Sequence, residues 1–398
     1  MKKTLTARYS LHQMAYWMAA AGVVSFASAF LLEKGFAASE VGVLLSSGNL
    51  LSCALQPILA DRADRAGGNV LKWLTAGLTG LCMLCFLCLL FLPLEKTLYG
   101  LVYLLGIFTL DAMNPLLNAI CVFYNAQGWY VNYGFGRGIG SLAYSVAALG
   151  IGRIIADFGG DWMLWIVLFL LAILAAVTLS FPSVTAAKER ASEALEECCS
   201  VPVFFRRYKW YCVSLLGVMS LAMFHAMTEN YFIRIFGRLG GDSSSVGIAL
   251  FIATIAEFPV FIFFDRVRAR IPNHRLLKIA ALSFLLKAIL LVFAPSVTSI
   301  YFIQIIQATS YAFLSPTQLY YANDRVAPSD MVKGQAFITA SYTLGCAAGN
   351  FAGGQLIDRF GVPTLLLCGV GVAALGTVIL CLTTNKKATK TLPFSEKM

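Results

Sequence analysis

Charge is scarce in this sequence. Only 13% of its 398 residues are Asp, Glu, Lys or Arg, and 59% are hydrophobic, whereas soluble domains carry about 25% charged residues. Polar stretches are nearly absent as well. The longest runs over 182–210 and is too short to be a catalytic domain. There is no Gly-x-x-x-x-Gly-Lys-Ser/Thr phosphate loop, so nothing in the chain suggests nucleotide hydrolysis. A cleavable signal pattern is also missing, because "MKKTLTARYSLHQ" leads directly into an apolar stretch long enough to stay in a bilayer.

What the chain has in quantity is apolar blocks. A bilayer core of ~30 Å needs ~20 apolar residues per helix. Twelve blocks of about that length occur, from 12–32 and 41–60 through to 334–356 and 364–383. Lipid offers backbone groups no water, so such spans must be helical. The expected fold is an all-α polytopic membrane protein of twelve transmembrane helices. The net charge of +10 is distributed by loop. With the N-terminus inside, 22 of the 30 Lys and Arg fall on the cytoplasmic side and 6 on the other. This asymmetry places both termini in the cytoplasm of a cell-membrane protein and argues against a nucleic-acid partner. Cys82, Cys85 and Cys88 recur every third residue without a nearby His or acid, which marks a small-residue helix face rather than a metal site.

The polar segment divides the chain into 1–181, a linker 182–210, and 211–398. The two halves share landmarks. "SEVGVLL" (39–45) and "SSVGIAL" (244–250) open the second and eighth spans, and Asp61-Arg62 and Asp265-Arg266 close them. "YGFGR" leads to "ADFGGDWML", and "KGQAF" to "IDRFGVPTL". Matched landmarks of this kind imply two pseudo-symmetric six-helix bundles.

These stretches resemble the major facilitator superfamily, and more narrowly its lactose-permease-like branch. "SEVGVLLSSGNLLSCALQPILADRADRAGG" is similar to the second helix and its following turn. Within it, Ala60, Asp64, Arg65 and Gly67 follow the superfamily's gating motif, although Gly68-Asn69 replace its basic pair. "YGFGRGIGS" resembles the branch's fifth-helix motif, "AEFPVF" its eighth, "KAILLVFAPS" its ninth and "QATSYAF" its tenth. The resemblance implies the major facilitator fold and a transporter rather than an enzyme. It implies proton-coupled uptake of an oligosaccharide or glycoside by alternating access. Nucleoside or phenylpropionate-like aromatic-acid symport is the alternative, followed by drug export or a membrane-embedded enzyme. The partners implied are a small solute, protons and lipid, with no cofactor and a monomeric chain.

Ionisable groups within spans cost ~2.5–3.5 kcal/mol on insertion scales and so face a cavity or a partner. Glu257 and Lys287 both fall near mid-membrane on neighbouring antiparallel spans. They read either as a structural ion pair or as a proton-coupling pair. Asp111 lies on one face with Asn118, two turns along. It either pairs with Arg137 or stands alone. His225 and Glu229, at i and i+4, read as a gate pair or a relay near the outer end, while His12 and His274 are expected in solvent. Arg137 sits among Gly134, Gly136, Gly138 and Gly140, with Tyr144 two turns along the same face. It either points into a cavity or snorkels to the headgroups. In the branch the positions of Arg137, Tyr144, Asn118 and Gln307 bear on solute binding. Gln307 and Ser310 stand where lactose permease has a histidine and an acid.

Overall fold

The computed structural model describes residues 2–65, 68–182, 201–327 and 330–384, and they are almost entirely helical. Nine helices among them are long and apolar enough to cross a bilayer, and the bent first helix makes ten. One of the nine, Met331–Thr383, is two helices. Gly361 within it has φ of +79°, and 53 residues would span ~80 Å if continuous. Asn273–Val292, which carries Lys287, completes twelve.

The helices are α1 (residues 2–33), α2 (Ala38–Arg65), α3 (Gly68–Phe91), α4 (Lys96–Ala126), α5 (Tyr133–Phe158) and α6 (Asp161–Ser180). The second set is α7 (Lys209–Glu229), α8 (Ser243–Arg270), α9 (Asn273–Val292), α10 (residues 297–325), α11 (331–360) and α12 (362–383). A short helix, Val201–Arg207, lies in the linker before α7. Gly67 and the side chains of Asp64 and Arg65 lie outside the described residues.

Helix contacts repeat between the halves. In the first, α1 packs on α5 and α6, α2 on α4, and α3 on α4 and α6. Adding six to each number gives the pairs of the second half, and each of those pairs is in contact. The two large contacts between halves, α2 with α11 and α5 with α8, exchange under the same operation. This is the pattern of a pseudo-twofold axis.

Glycine permits the closest approaches. A methyl at Gly42 would lie 2.5 Å from the Asn350 carbonyl oxygen, and one at Gly152 2.6 Å from that of Ser243. Both contacts join the halves at the end away from the termini. Within the second half, a methyl at Gly345 would collide with the Met219 backbone, whereas one at Gly77 would meet nothing within 4 Å. Overpacking of this kind typically costs ~1–3 kcal/mol. Gly345→Ala should therefore lower the melting temperature of the purified protein, and Gly77→Ala should leave it unchanged or raise it. A thermal-unfolding comparison in one detergent checks both.

Breaks in helices mark the middle of the bundle. Residues 21–25 of α1 form a π turn, and the helix bends by 48° there. α10 is interrupted by a 3-10 turn at Ile305–Ala308. Pro115, Pro259 and Pro316 lie inside α4, α8 and α10, each removing a backbone donor. Such discontinuities next to a central site are the usual way a carrier frees polar groups at mid-membrane.

Candidate functional site

Two polar networks face the middle of the bundle, one from each half. In the second half Lys287 is 1% exposed, and its Nζ lies 2.9 Å from Glu229 Oε1 and 2.6 Å from Gln307 Oε1. Gln307 belongs to the 3-10 turn of α10, and its side chain lies beside the Glu257 carboxyl of α8. The amide thus accepts from the lysine and stands next to the second carboxylate. The result is a chain of four groups, Glu229–Lys287–Gln307–Glu257.

This differs from the direct Glu257–Lys287 contact expected from depth. Lys287 turns instead to Glu229, expected from the sequence near the outer end. α7 does end at Glu229, but the chain continues into the helical turn Phe232–Gly237, whose Phe232, Ile235 and Phe236 are buried. The Glu229 side chain is only 14% exposed. His225 lies one turn before it, with Nδ1 3.9 Å from Glu229 Oε1. Its ring stacks on Tyr311 at 5.0 Å and 17°.

In the first half, the Arg137 guanidinium lies 4.0 Å from the centroid of the Trp17 ring and donates to Ser141 Oγ at 2.7 Å. The glycines explain how α5 comes this close to α1. A methyl at Gly140 would sit 2.7 Å from Trp17 Cδ1, and one at Gly136 2.5 Å from Tyr9 Cδ1. Trp17 Nε1 donates to Gln13 Oε1 at 3.0 Å, and Gln13 Nε2 donates to the Tyr9 hydroxyl at 2.7 Å and reaches Asn118 Oδ1 at 3.5 Å. Arg137 is therefore packed on a tryptophan of α1 and is half-buried. The Tyr144 hydroxyl is 2.6 Å from Ser25 Oγ, in the π turn of α1. His12, expected in solvent, is fully buried with Nε2 2.9 Å from Thr178 Oγ1. Its burial follows because α1 extends back to Lys2 and packs on α6.

Between the networks is a cavity of about 210 Å³ whose lining includes Asp111, His225 and Glu229 from the sequence reading. Asp111 thus belongs to the cavity wall, two turns from the Arg137 network. Arg137, Tyr144, Lys287, Glu257, Gln307 and Asn118 are not in this lining. The sequence reading missed Asn49, Asn230, Tyr342 and Asn350, which do line it. The available signal was an amide on an otherwise apolar helix. Asn230 and Asn350 bond each other, Nδ2 to Oδ1, at 2.5 Å.

Hydrogen bonds between the halves gather at the end away from the termini. The Ala38 and Ser39 amides donate to Asp358, the Tyr231 hydroxyl to the Ala38 carbonyl, and Ser28 Oγ to the Asn230 carbonyl.

Two related six-helix halves enclosing a polar cavity and joined across one end define a membrane carrier. The chain belongs to the MFS_1-like family of major facilitator transporters, whose family model matches residues 6–367. It is similar to the maltose permease of Geobacillus stearothermophilus, 26% identical over 384 residues that cover 91% of this chain and 90% of that protein. Among solved structures it is similar to the nucleoside transporter NupG. That match has a TM-score of 0.79 at 17% identity and covers 97% of this chain and 100% of the other. It also resembles a bacterial homologue of the human lysosomal transporter Spinster in an inward-facing, unoccupied conformation. There the TM-score is 0.68 at 13% identity, covering 96% of this chain and 97% of the other.

Proposed function

We propose that this chain takes up a small neutral polar solute, an oligosaccharide or glycoside, together with protons. Residues 1–181 and 211–398 act as two rocking bodies joined by 182–210. The termini face the cytoplasm, the membrane is the cell membrane, and the working unit is one chain. The observation that carries the proton coupling is the buried series Glu229–Lys287–Gln307–Glu257, which reaches the cavity wall at Glu229.

Neutrality of the solute is supported by the charges around the cavity. Lys287 is paired with Glu229 and bonded to Gln307, and Arg137 is packed on Trp17 and bonded to Ser141 outside the cavity wall. The cavity wall carries the carboxylates Asp111 and Glu229, which repel an anion such as an aromatic acid. In this reading Arg137, Tyr144, Asn118 and Gln307 contact the solute as the halves rearrange, and Asp64, Arg65 and Gly67 brace the opposite gate. A nucleoside is the second candidate. The parallel His225 and Tyr311 rings, with Tyr342 6.5 Å from Tyr311 and on the cavity wall, offer apolar faces for a base.

A thermal-shift screen of sugars, nucleosides and aromatic acids, followed by counterflow in proteoliposomes, tests this reading. A ligand at about 100 times its dissociation constant stabilises the folded protein by ~2.7 kcal/mol. Stabilisation and counterflow by aromatic acids alone would overturn neutrality of the solute.

Arg137→Lys keeps the charge and loses the planar stack on Trp17. Cation–π contacts of this type are worth ~0.5–2 kcal/mol. The substitution should therefore lower protein stability by up to about 2 kcal/mol, and loss of the planar fork should weaken solute binding several-fold. Equilibrium binding to both proteins checks it.

A further inference from the structure

The N-terminus of α2 has a cap divided between the two halves of the molecule. A helix N-terminus leaves its first amides without intrahelical acceptors. In a capping box the N-cap side chain accepts one of them, and the residue three positions on accepts the N-cap amide. In α2 the second half of this arrangement is present, since the Ala37 amide donates to Glu40 Oε2 at 2.7 Å. The first half cannot form, because alanine has no acceptor. Asp358, at the far end of α11, supplies it. Its Oδ1 accepts from the Ala38 amide at 3.1 Å and its Oδ2 from the Ser39 amide at 2.6 Å.

The pseudo-symmetric helix shows what α2 lacks. Two residues before "SEVGVLL" stands Ala37, and two residues before "SSVGIAL" stands Asp242. Asp242 caps α8 from within its own half, accepting from the Ser245 amide at 2.9 Å, while Ser245 Oγ accepts from the Asp242 amide at 3.3 Å. α8 therefore keeps its cap wherever the halves move. α2 keeps its cap only while α11 lies against it.

The surroundings make that approach possible and tie it to the gate. Gly354, one turn before Asp358, has no side chain to hold α11 away from the Ala38 carbonyl. The same carbonyl accepts from the Tyr231 hydroxyl, which also reaches Asn350 on the cavity wall.

We propose that Asp358 is a detachable N-cap for α2, a positioning residue that latches the cavity shut at the end away from the termini. Parting α2 from α11 exposes the Ala38 and Ser39 amides and removes the carboxylate from the positive end of the helix. The closed arrangement is favoured by that difference, and opening must overcome it. The proposal rests on the carrier reading only in treating this end as a gate. It is independent of the solute and of the coupling ion.

The native Cys346, on the cavity wall, reports on the latch. A membrane-impermeant maleimide is added to proteoliposomes, without solute, on the side away from the termini. Labelling is scored against a Cys346→Ser background. Asp358→Ala should label about tenfold faster than the wild type, in keeping with the loss of a typical cap, and Asp358→Asn should fall between them. Ala37→Asp placed in Asp358→Ala gives α2 a cap of its own. The double variant should regain thermal stability and still label fast. Wild-type labelling in Asp358→Ala, or in Asp358→Asn if the alanine variant does not fold, would overturn the latch. So would a double variant in which labelling returns to the wild-type rate, since Asp358 would then serve only to stabilise α2. Loss of counterflow for every solute, with the labelling pattern intact, would instead count against the proposed function.

Discussion

Glu257→Gln should abolish accumulation of solute driven by a proton gradient and leave counterflow of solute intact. Lys287 contacts Glu229 directly, and Gln307, which it also bonds, lies beside Glu257. Two ionised carboxylates beside one buried ammonium leave an excess negative charge away from water, which is costly. Holding one proton on the pair removes that excess. Gln307 sits in the break of α10, where a small change of backbone moves its amide and changes which carboxylate the lysine neutralises. A change of neutralising partner changes proton affinity, because a nearby cation favours the ionised form. Glutamine at 257 keeps the shape and removes the titration. A membrane potential of 100 mV is worth ~2.3 kcal/mol per proton, a roughly fifty-fold concentration ratio of solute. The variant should reach a ratio of about one at the same potential. If it still concentrates solute, another group carries the proton, and Asp111 on the cavity wall is the next to substitute.

The sequence makes the helices and their pairing legible, and it says less about which side chains meet. Helix number follows from block length, because lipid permits no other backbone solution. The shared landmarks mark the first turns of α2 and α8, which do occupy equivalent places. Depth can be counted along a span, but depth leaves the direction around the helix axis open. Glu257 and Lys287 lie at similar depth, yet the lysine turns to α7. Glu229 closes α7 near the outer end, and the turn Phe232–Gly237 that follows, with Phe232, Ile235 and Phe236 buried, is short enough to pass for a loop. His12 looked exposed because the apolar pattern begins after it, while the helix begins ten residues earlier. The cap on α2 was not legible at all. Its donors and its acceptor are 319 and 320 residues apart, and an aspartate between two spans has no local sign of its partner. What the pattern did record was the absence, an alanine at 37 where the other half has Asp242.

Lys287→Met should be the most damaging single substitution in the second half, and part of its cost should be recoverable by removing its partner's charge. The ammonium is 1% exposed and bonded to Glu229 and Gln307, so methionine fills much of the volume and leaves both acceptors without a donor. Removing one partner of a buried pair typically costs ~3–5 kcal/mol. Glu229 keeps 14% of its side-chain exposure and faces the cavity, so water offsets some of this, and about 3 kcal/mol is expected. Glu229→Gln in the same chain removes the uncompensated charge. The double variant should then be more stable than Lys287→Met alone, with a coupling energy of ~0.5–3 kcal/mol between the two sites. Chemical unfolding of the wild type, the two single variants and the double variant in one detergent measures the cycle. Additive losses would mean that Lys287 and Glu229 do not depend on each other, and the four-group series could not act as one unit. If stability recovers in the double variant while proton-driven accumulation does not, the pair is needed for coupling as well as for folding, because methionine and glutamine can fill the space and cannot exchange a charge.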